Sequence, residues 1–188
     1  MKKELCRLLA EWGNLVFFDA QERLIPKESR RLITIPKLET QWKVMYDVKP
    51  TKPVQLEKYH PSLGITVGRD VLAQWRCLCF VDATLTPPQI VLAENLSGAE
   101  SSLSVATGSQ VPKVGEWTRI EIGHEEEEGK YFLSLAVGGE HVGRREVTDP
   151  ELKNPIDVKL KIGCRPGAAQ GRTHPLPGFV RRVVVLQK

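Results

Sequence analysis

Alternation of apolar and polar residues runs through most of the chain. Trp42, Val44, Tyr46 and Val48 alternate with Lys43, Met45 and Asp47 before Lys49-Pro50 ends the run, since proline removes a ladder donor. Ile120 and Ile122 alternate with Arg119 and Glu121. Tyr131, Leu133, Leu135 and Val137 make another apolar face, and Ile156, Val158, Leu160 and Ile162 alternate with Asp157, Lys159 and Lys161. Leu103 and Val105 alternate with serines, and a valine-rich run from Phe179 to Leu186 closes the chain. A period of two puts the apolar set on one side of a strand, and one-sided alternation predicts antiparallel sheets with a solvated face. Trp75, Cys77, Cys79 and Val81 share a face while Leu78 and Phe80 take the other, so that strand is expected to be covered on both sides. Only the first dozen residues, MKKELCRLLAEW, have a helical spacing, with Leu5, Leu8 and Leu9 on one side.

Turn signals separate these runs: Pro36, Pro50 to Pro53, Pro61, Pro87-Pro88, Gly138-Gly139, Pro150, Pro155 and Pro166-Gly167. Roughly ten to twelve strands at this spacing predict a sandwich or barrel. HEEEEGK, between the strand at Thr118–Ile122 and its partner at Tyr131–Val137, reads as the polar end of a hairpin with Gly129 in the turn. A catalytic pair would need two carboxyls held across a cleft, roughly 5 to 9 Å apart. Four neighbouring glutamates at a loop tip repel one another and prefer water.

Length and composition fit this picture. The 188 residues, 41% hydrophobic and 27% charged, suit one two-layer domain. A net charge of +4 permits an anionic partner without requiring one. No apolar run approaches the roughly 20 residues of a membrane span. Glu4, Arg7 and Glu11 interrupt the N-terminal apolar stretch, so no signal peptide is read there. Cys6, Cys77, Cys79 and Cys164 allow three complete pairings or four free thiols. Cys77 and Cys79 share a face and are poorly placed to bond each other, so any bridge from either reaches elsewhere.

At this point the residues resemble a known group. Gly115-Glu116-Trp117-Thr118-Arg119-Ile120-Glu121-Ile122, then Lys130-Tyr131 and Val137-Gly138-Gly139-Glu140-His141-Val142, are similar to the G-x-W-x-x-I-x-I … L-x-V-x-G-x-x-V hairpin of concanavalin A-like jelly rolls, which include laminin-G-like and pentraxin-like domains. Lys161-Ile162-Gly163 followed by Pro177 to Val185 resembles their closing segment, and Glu39 to Thr51 their early strand. The resemblance covers about residues 30 to 187 and implies an antiparallel two-sheet β-sandwich over residues 30–188, with residues 1–29 as an arm or first strand packed on the same domain. It implies a lectin-like, extracellular or secreted binding module for a glycan or protein, and allows calcium at the sheet rim, where Asp70, Asp82 and Asp149 are candidates by position only. Glycosidases of this group carry E-x-D-x-x-E on one strand. Glu121-Ile122-Gly123-His124-Glu125 has glycine in place of aspartate, so hydrolysis is set aside and no enzyme is expected.

The remaining chemistry is sparse. His60, His124, His141 and His174 lie in turn-like segments and read as solvated. No phosphate-binding glycine motif and no basic cluster interleaved with aromatics is present, so no cofactor and no nucleic acid are expected. Arginines are the stronger candidates, because their fork suits sulfates and carboxylates. Arg144, Arg145, Arg165, Arg172, Arg181 and Arg182 are the expected ligand contacts for a sulfated or anionic glycan, with Arg30-Arg31 nearby in a first-to-last strand arrangement. Asn95-Leu96-Ser97 is a glycosylation triplet if the chain is secreted. Of the tryptophans, Trp42 and Trp75 read as core, and Trp117 as a residue near the rim. The alternative to ligand binding is homo-oligomerisation through an outer sheet face or edge. A large apolar outer patch would favour assembly, and a concave polar groove would favour a ligand.

Overall fold

The alternating runs become strands because each can bury one face against a second sheet. The computed structural model describes residues 2–25, 33–35, 38–53, 59–60, 65–68, 75–95, 102–108, 111–148, 150–153, 159–162 and 177–188. In chain order its elements are α1 (Lys2–Trp12), β1 (Asn14–Asp19), β2 (Arg23–Leu24), β3 (Ile33–Ile35), β4 (Trp42–Pro50), β5 (Tyr59–His60), β6 (Ile65–Gly68), β7 (Trp75–Asp82), β8 (Gln89–Asn95), β9 (Ser102–Gly108), β10 (Thr118–Glu127), β11 (Lys130–Val137), β12 (Glu140–Glu146), β13 (Lys159–Ile162) and β14 (Gly178–Gln187). A short 3-10 turn, Pro150–Lys153, precedes β13.

The strands form two antiparallel sheets. The first has the order β1-β14-β4-β10-β11-β12, with β2 beside β14; the second runs β3-β13-β6-β7-β8-β9, with β5 beside β7. Their inner faces make one core. Trp42, Val44, Tyr46, Ile120, Ile122, Leu133, Leu135 and Val185 come from the first sheet, and Cys77, Cys79, Val81, Ile90 and Leu92 from the second. The N-terminal segment adds both a helix and the strand β1, which pairs with β14 from Asn14↔Gln187 to Asp19↔Val183.

Two differences from the sequence reading have physical causes. β8 was not visible as an alternating run because Ile90, Val91, Leu92 and Ala93 are all buried. Val91 and Ala93 join Phe80 in a small cluster separate from the main core, so β7 and β8 are covered on both sides. The polar hairpin end is also shorter than expected. β10 continues through Glu127, and only Glu128 and Gly129 turn, both with positive φ (52° and 76°), as a two-residue hairpin turn requires. Extension is tolerable because neighbouring glutamates on a strand point to opposite faces.

Candidate functional site

The outer face of the first sheet is divided in two. Over β4 and β14, Met45, Val184 and Leu186 point outward and are covered by Leu8 and Trp12 of α1. Lys43 and Lys188 lie 5.9 and 5.2 Å from the Trp12 ring centre. Over β10, β11 and β12 no helix among the described residues packs an apolar face on the sheet, and apart from Phe132 the outward residues are polar or small.

Register places them in two cross-strand rows. Lys43, Gly123, Ser134 and Arg144 are successive partners across β4, β10, β11 and β12. Met45, Glu121, Ala136 and His141 make the adjacent row. Strands lie about 4.8 Å apart, so each row spans roughly 14 Å. The low middle positions Gly123, Ser134 and Ala136 form the floor of a trough of about 440 Å³ whose lining also includes Lys43, Glu121, Glu125, Glu127, His141 and Arg144.

Charges hold the walls in place. Lys43 Nζ is 3.6 Å from Glu121. Arg144 is 2.6 Å from Glu127, and its guanidinium lies 3.8 Å from the Phe132 ring centre. Glu125 folds over Gly123: a Cβ at that position would meet both a Glu125 carboxylate oxygen and the Ser134 hydroxyl at 2.7 Å. Glycine is therefore what lets the carboxylate and hydroxyl converge on the trough floor. An aspartate here, as in the E-x-D-x-x-E strand, would have to displace them.

The predicted arginines do not gather at one place. Arg181 and Arg182 converge with Arg119 on Asp47, which is only 4% exposed. Arg119 Nε donates to Asp47 at 2.9 Å, and Arg181 and Arg182 each approach it at 3.4 Å. A bulge with Arg182 at φ 52° brings the two neighbours to one side. Burial disfavours the Arg119 charge, but Asp47 and then Glu4 more than offset this and raise its pKa. Glu4 reaches Arg119 from α1 at 2.7 Å. Arg181 also lies 3.9 Å from the Trp117 ring centre, with Lys49 at 4.7 Å, so Trp117 is half-buried beneath cations. Arg144 lines the trough at the other side of the sheet, and Arg145, paired with Leu133, follows it on β12. Arg165, Arg172 and Arg30-Arg31 lie outside the described residues.

Other expectations are corrected. His124 is not a solvated loop histidine. It is fully buried on β10, stacked between Trp42 (5.6 Å) and Tyr131 (5.4 Å). Burial lowers its pKa to about 4, against the raising effect of the Thr40 carbonyl, to which Nδ1 donates; Nε2 has no partner among the described residues. The disulfides that the cysteine count allowed do not form at Cys6, Cys77 or Cys79, all of which are free; Cys6 is exposed and the other two buried. Cys164 lies outside the described residues. Burial pushes the Cys79 thiol up to about 12, although the neighbouring Tyr46 hydroxyl lowers it. Among the described residues that hydroxyl has no partner within normal hydrogen-bond geometry.

Asp82 accepts bonds from the Thr84 amide (2.9 Å) and hydroxyl (2.5 Å) in its own turn. Asp70, Asp149 and His174 lie outside the described residues, and among those described no three His, Cys, Asp or Glu side chains are grouped to hold a metal. Asn95 ends β8. No described helix is long and apolar enough to cross a membrane. The trough residues were missed because their signal is an outward row of small side chains, Gly123, Ser134 and Ala136, at strand positions usually filled by large polar ones.

No protein-family model and no curated protein matches the sequence. Solved structures share the architecture at low identity. The native heptameric SAP-like pentraxin from Limulus polyphemus aligns with a TM-score of 0.55 at 13% identity, over 89% of this chain and 74% of its own. The CBM40 of Ruminococcus gnavus IT-sialidase, a structure bound to α2,3 sialyllactose, aligns at 0.55 and 12% identity, over 85% and 94%. Alginate lyase vAL-1 from Chlorella virus aligns at 0.53 and 8% identity, over 100% and 98%. The protein thus has the concanavalin A-like jelly-roll fold, which is common to lectin-like modules and to a lyase. At these identities the likeness is one of fold.

Proposed function

We propose that the protein is a non-catalytic carbohydrate-binding module whose site is the trough over β10, β11 and β12. The observation that carries this reading is the row Lys43, Gly123, Ser134, Arg144: charged groups at both ends of a floor low enough to admit a sugar ring. Saccharides present many hydroxyls, and the carboxylates of Glu121, Glu125 and Glu127 can accept from them while Arg144 and Lys43 donate. Pre-formed ion pairs reduce the ordering cost of binding. The lectin-like neighbours support the reading, and the lyase among them makes catalysis the competing one. Gly123 in place of a second carboxylate, and the Lys43–Glu121 pair, favour binding over hydrolysis.

Self-assembly is less favoured, since the outward apolar strip of Met45, Val184 and Leu186 is already covered by α1. An extracellular setting belongs to the same proposal, supported by the triplet at Asn95. Expression through a secretory pathway should add a mass there that Asn95→Gln removes; an unmodified Asn95 would count against it. The functional test is an array of neutral, amine-bearing and sulfated saccharides, probed with the protein and with Gly123→Val. Binding lost in Gly123→Val is expected. Undiminished binding by that variant would move the site away from the trough, and breakdown of a bound saccharide would replace a binding module with an enzyme.

A further inference from the structure

We infer that the trough selects saccharides bearing a free amine, with Glu125 as the carboxylate that receives the ammonium. This rests on the trough being the saccharide site. Glu125 is the trough's uncommitted charge. Lys43 is matched by Glu121 at 3.6 Å and Arg144 by Glu127 at 2.6 Å. Glu126 also lines the trough, but its carboxylate accepts from the Gly129 amide at 3.0 Å and is approached by Gln41 at 3.5 Å. Glu125 has no ion pair or hydrogen bond among the described residues, and neither has the Ser134 hydroxyl. Both converge over Gly123 at the lowest point of the floor.

The trough's cations are therefore spent on its own walls, and the charge left for a ligand is negative, although the whole chain carries +4. A sulfate or uronate placed on this floor would face Glu125 uncompensated, whereas like-charge contacts are what binding sites use to exclude wrong partners. An ammonium would find a carboxylate acceptor and a hydroxyl acceptor side by side. Glu125 is half-buried, so its attraction is screened less than that of a free surface charge. The same geometry makes the selectivity depend on glycine, because a side chain at 123 would push the carboxylate off the floor.

The test is isothermal titration of the full chain, in mildly acidic buffer, with glucosamine oligomers, with the N-acetylated oligomers of equal length, and with heparin fragments. The amine-bearing series should bind about fivefold more tightly than the acetylated one, the upper range for one partly exposed charge pair. In Glu125→Gln that ratio falls toward one, while Glu140→Gln, a change of equal charge on an exposed residue outside the trough, keeps it. Equal binding of amine and acetyl forms overturns the inference but leaves the saccharide site standing. Preference for heparin does the same. Failure of all three series overturns the inference together with the site.

Discussion

The two halves of one sheet face carry opposite solutions to the same problem. Over β4 and β14 the outward positions are Met45, Val184 and Leu186, and the chain spends an amphipathic helix to cover them. Over β10 to β12 the outward positions include Glu121, Gly123, Ser134 and Ala136, which line an open trough among the described residues. Both halves belong to one sheet, and their inner faces contribute to one core. The difference lies in which side chains point outward: the covered half adds apolar burial, and the open half presents the polar trough proposed as the saccharide site.

If that division is right, removing the cover should cost far more than reshaping the trough. Trp12, 1% exposed, is the anchor of α1. Trp12→Ala should lose about 3 kcal/mol in urea unfolding. A loss below about 1 kcal/mol would mean that the helix contributes little.

A loss of similar size should come from acid. His124 titrates near 4 in the fold against 6.5 ordinarily, so the unfolded chain binds more protons between those values. Stability from its neutral, stacked ring is fully present above about pH 6.5 and is lost as pH falls toward 4, on the order of 3 kcal/mol. Thermal unfolding across that window should flatten in His124→Phe, which keeps the stack; an unchanged slope would reject the assignment.

Asp47→Asn comes next. It leaves Arg119, Arg181 and Arg182 facing one another, with Glu4 of α1 still paired to Arg119. The expected cost is about 2 kcal/mol, below the value for fully buried pairs because the arginines are partly solvated. High salt should reduce it. In the open half, Gly123→Val and Ser134→Ala should each change the unfolding free energy measured in urea by under about 0.5 kcal/mol. A cost of 2 kcal/mol or more would make the trough a structural feature and erase the contrast.

The fold was legible because one-sided strands carry their own period. β4, β10, β11 and β14 stand where alternation placed them, and α1 where Leu5, Leu8 and Leu9 indicated. β8 was not legible, since Val91 and Ala93 are buried on the face where polar residues were sought. Side-chain partners were less legible. Arginines drew attention as anion ligands, yet Arg181 and Arg182 turn to Asp47, a pairing that depends on a bulge no local pattern announces. His124 looked like part of a polar loop because four glutamates follow it, and its burial depends on Trp42 from a strand distant in sequence. Glu121-Ile122-Gly123-His124-Glu125 was noticed only as a departure from a catalytic motif. Its significance emerges when β11 sets Ser134 beside Gly123.

The most direct test of the central claim is backbone amide NMR during titration with the tightest-binding saccharide from the array. Chemical-shift changes are expected to centre on Lys43, Gly123, Ser134, His141 and Arg144, leaving α1 undisturbed. Changes centred instead on Trp117, Arg181 and Arg182, or absent from the trough at saturation, would contradict it.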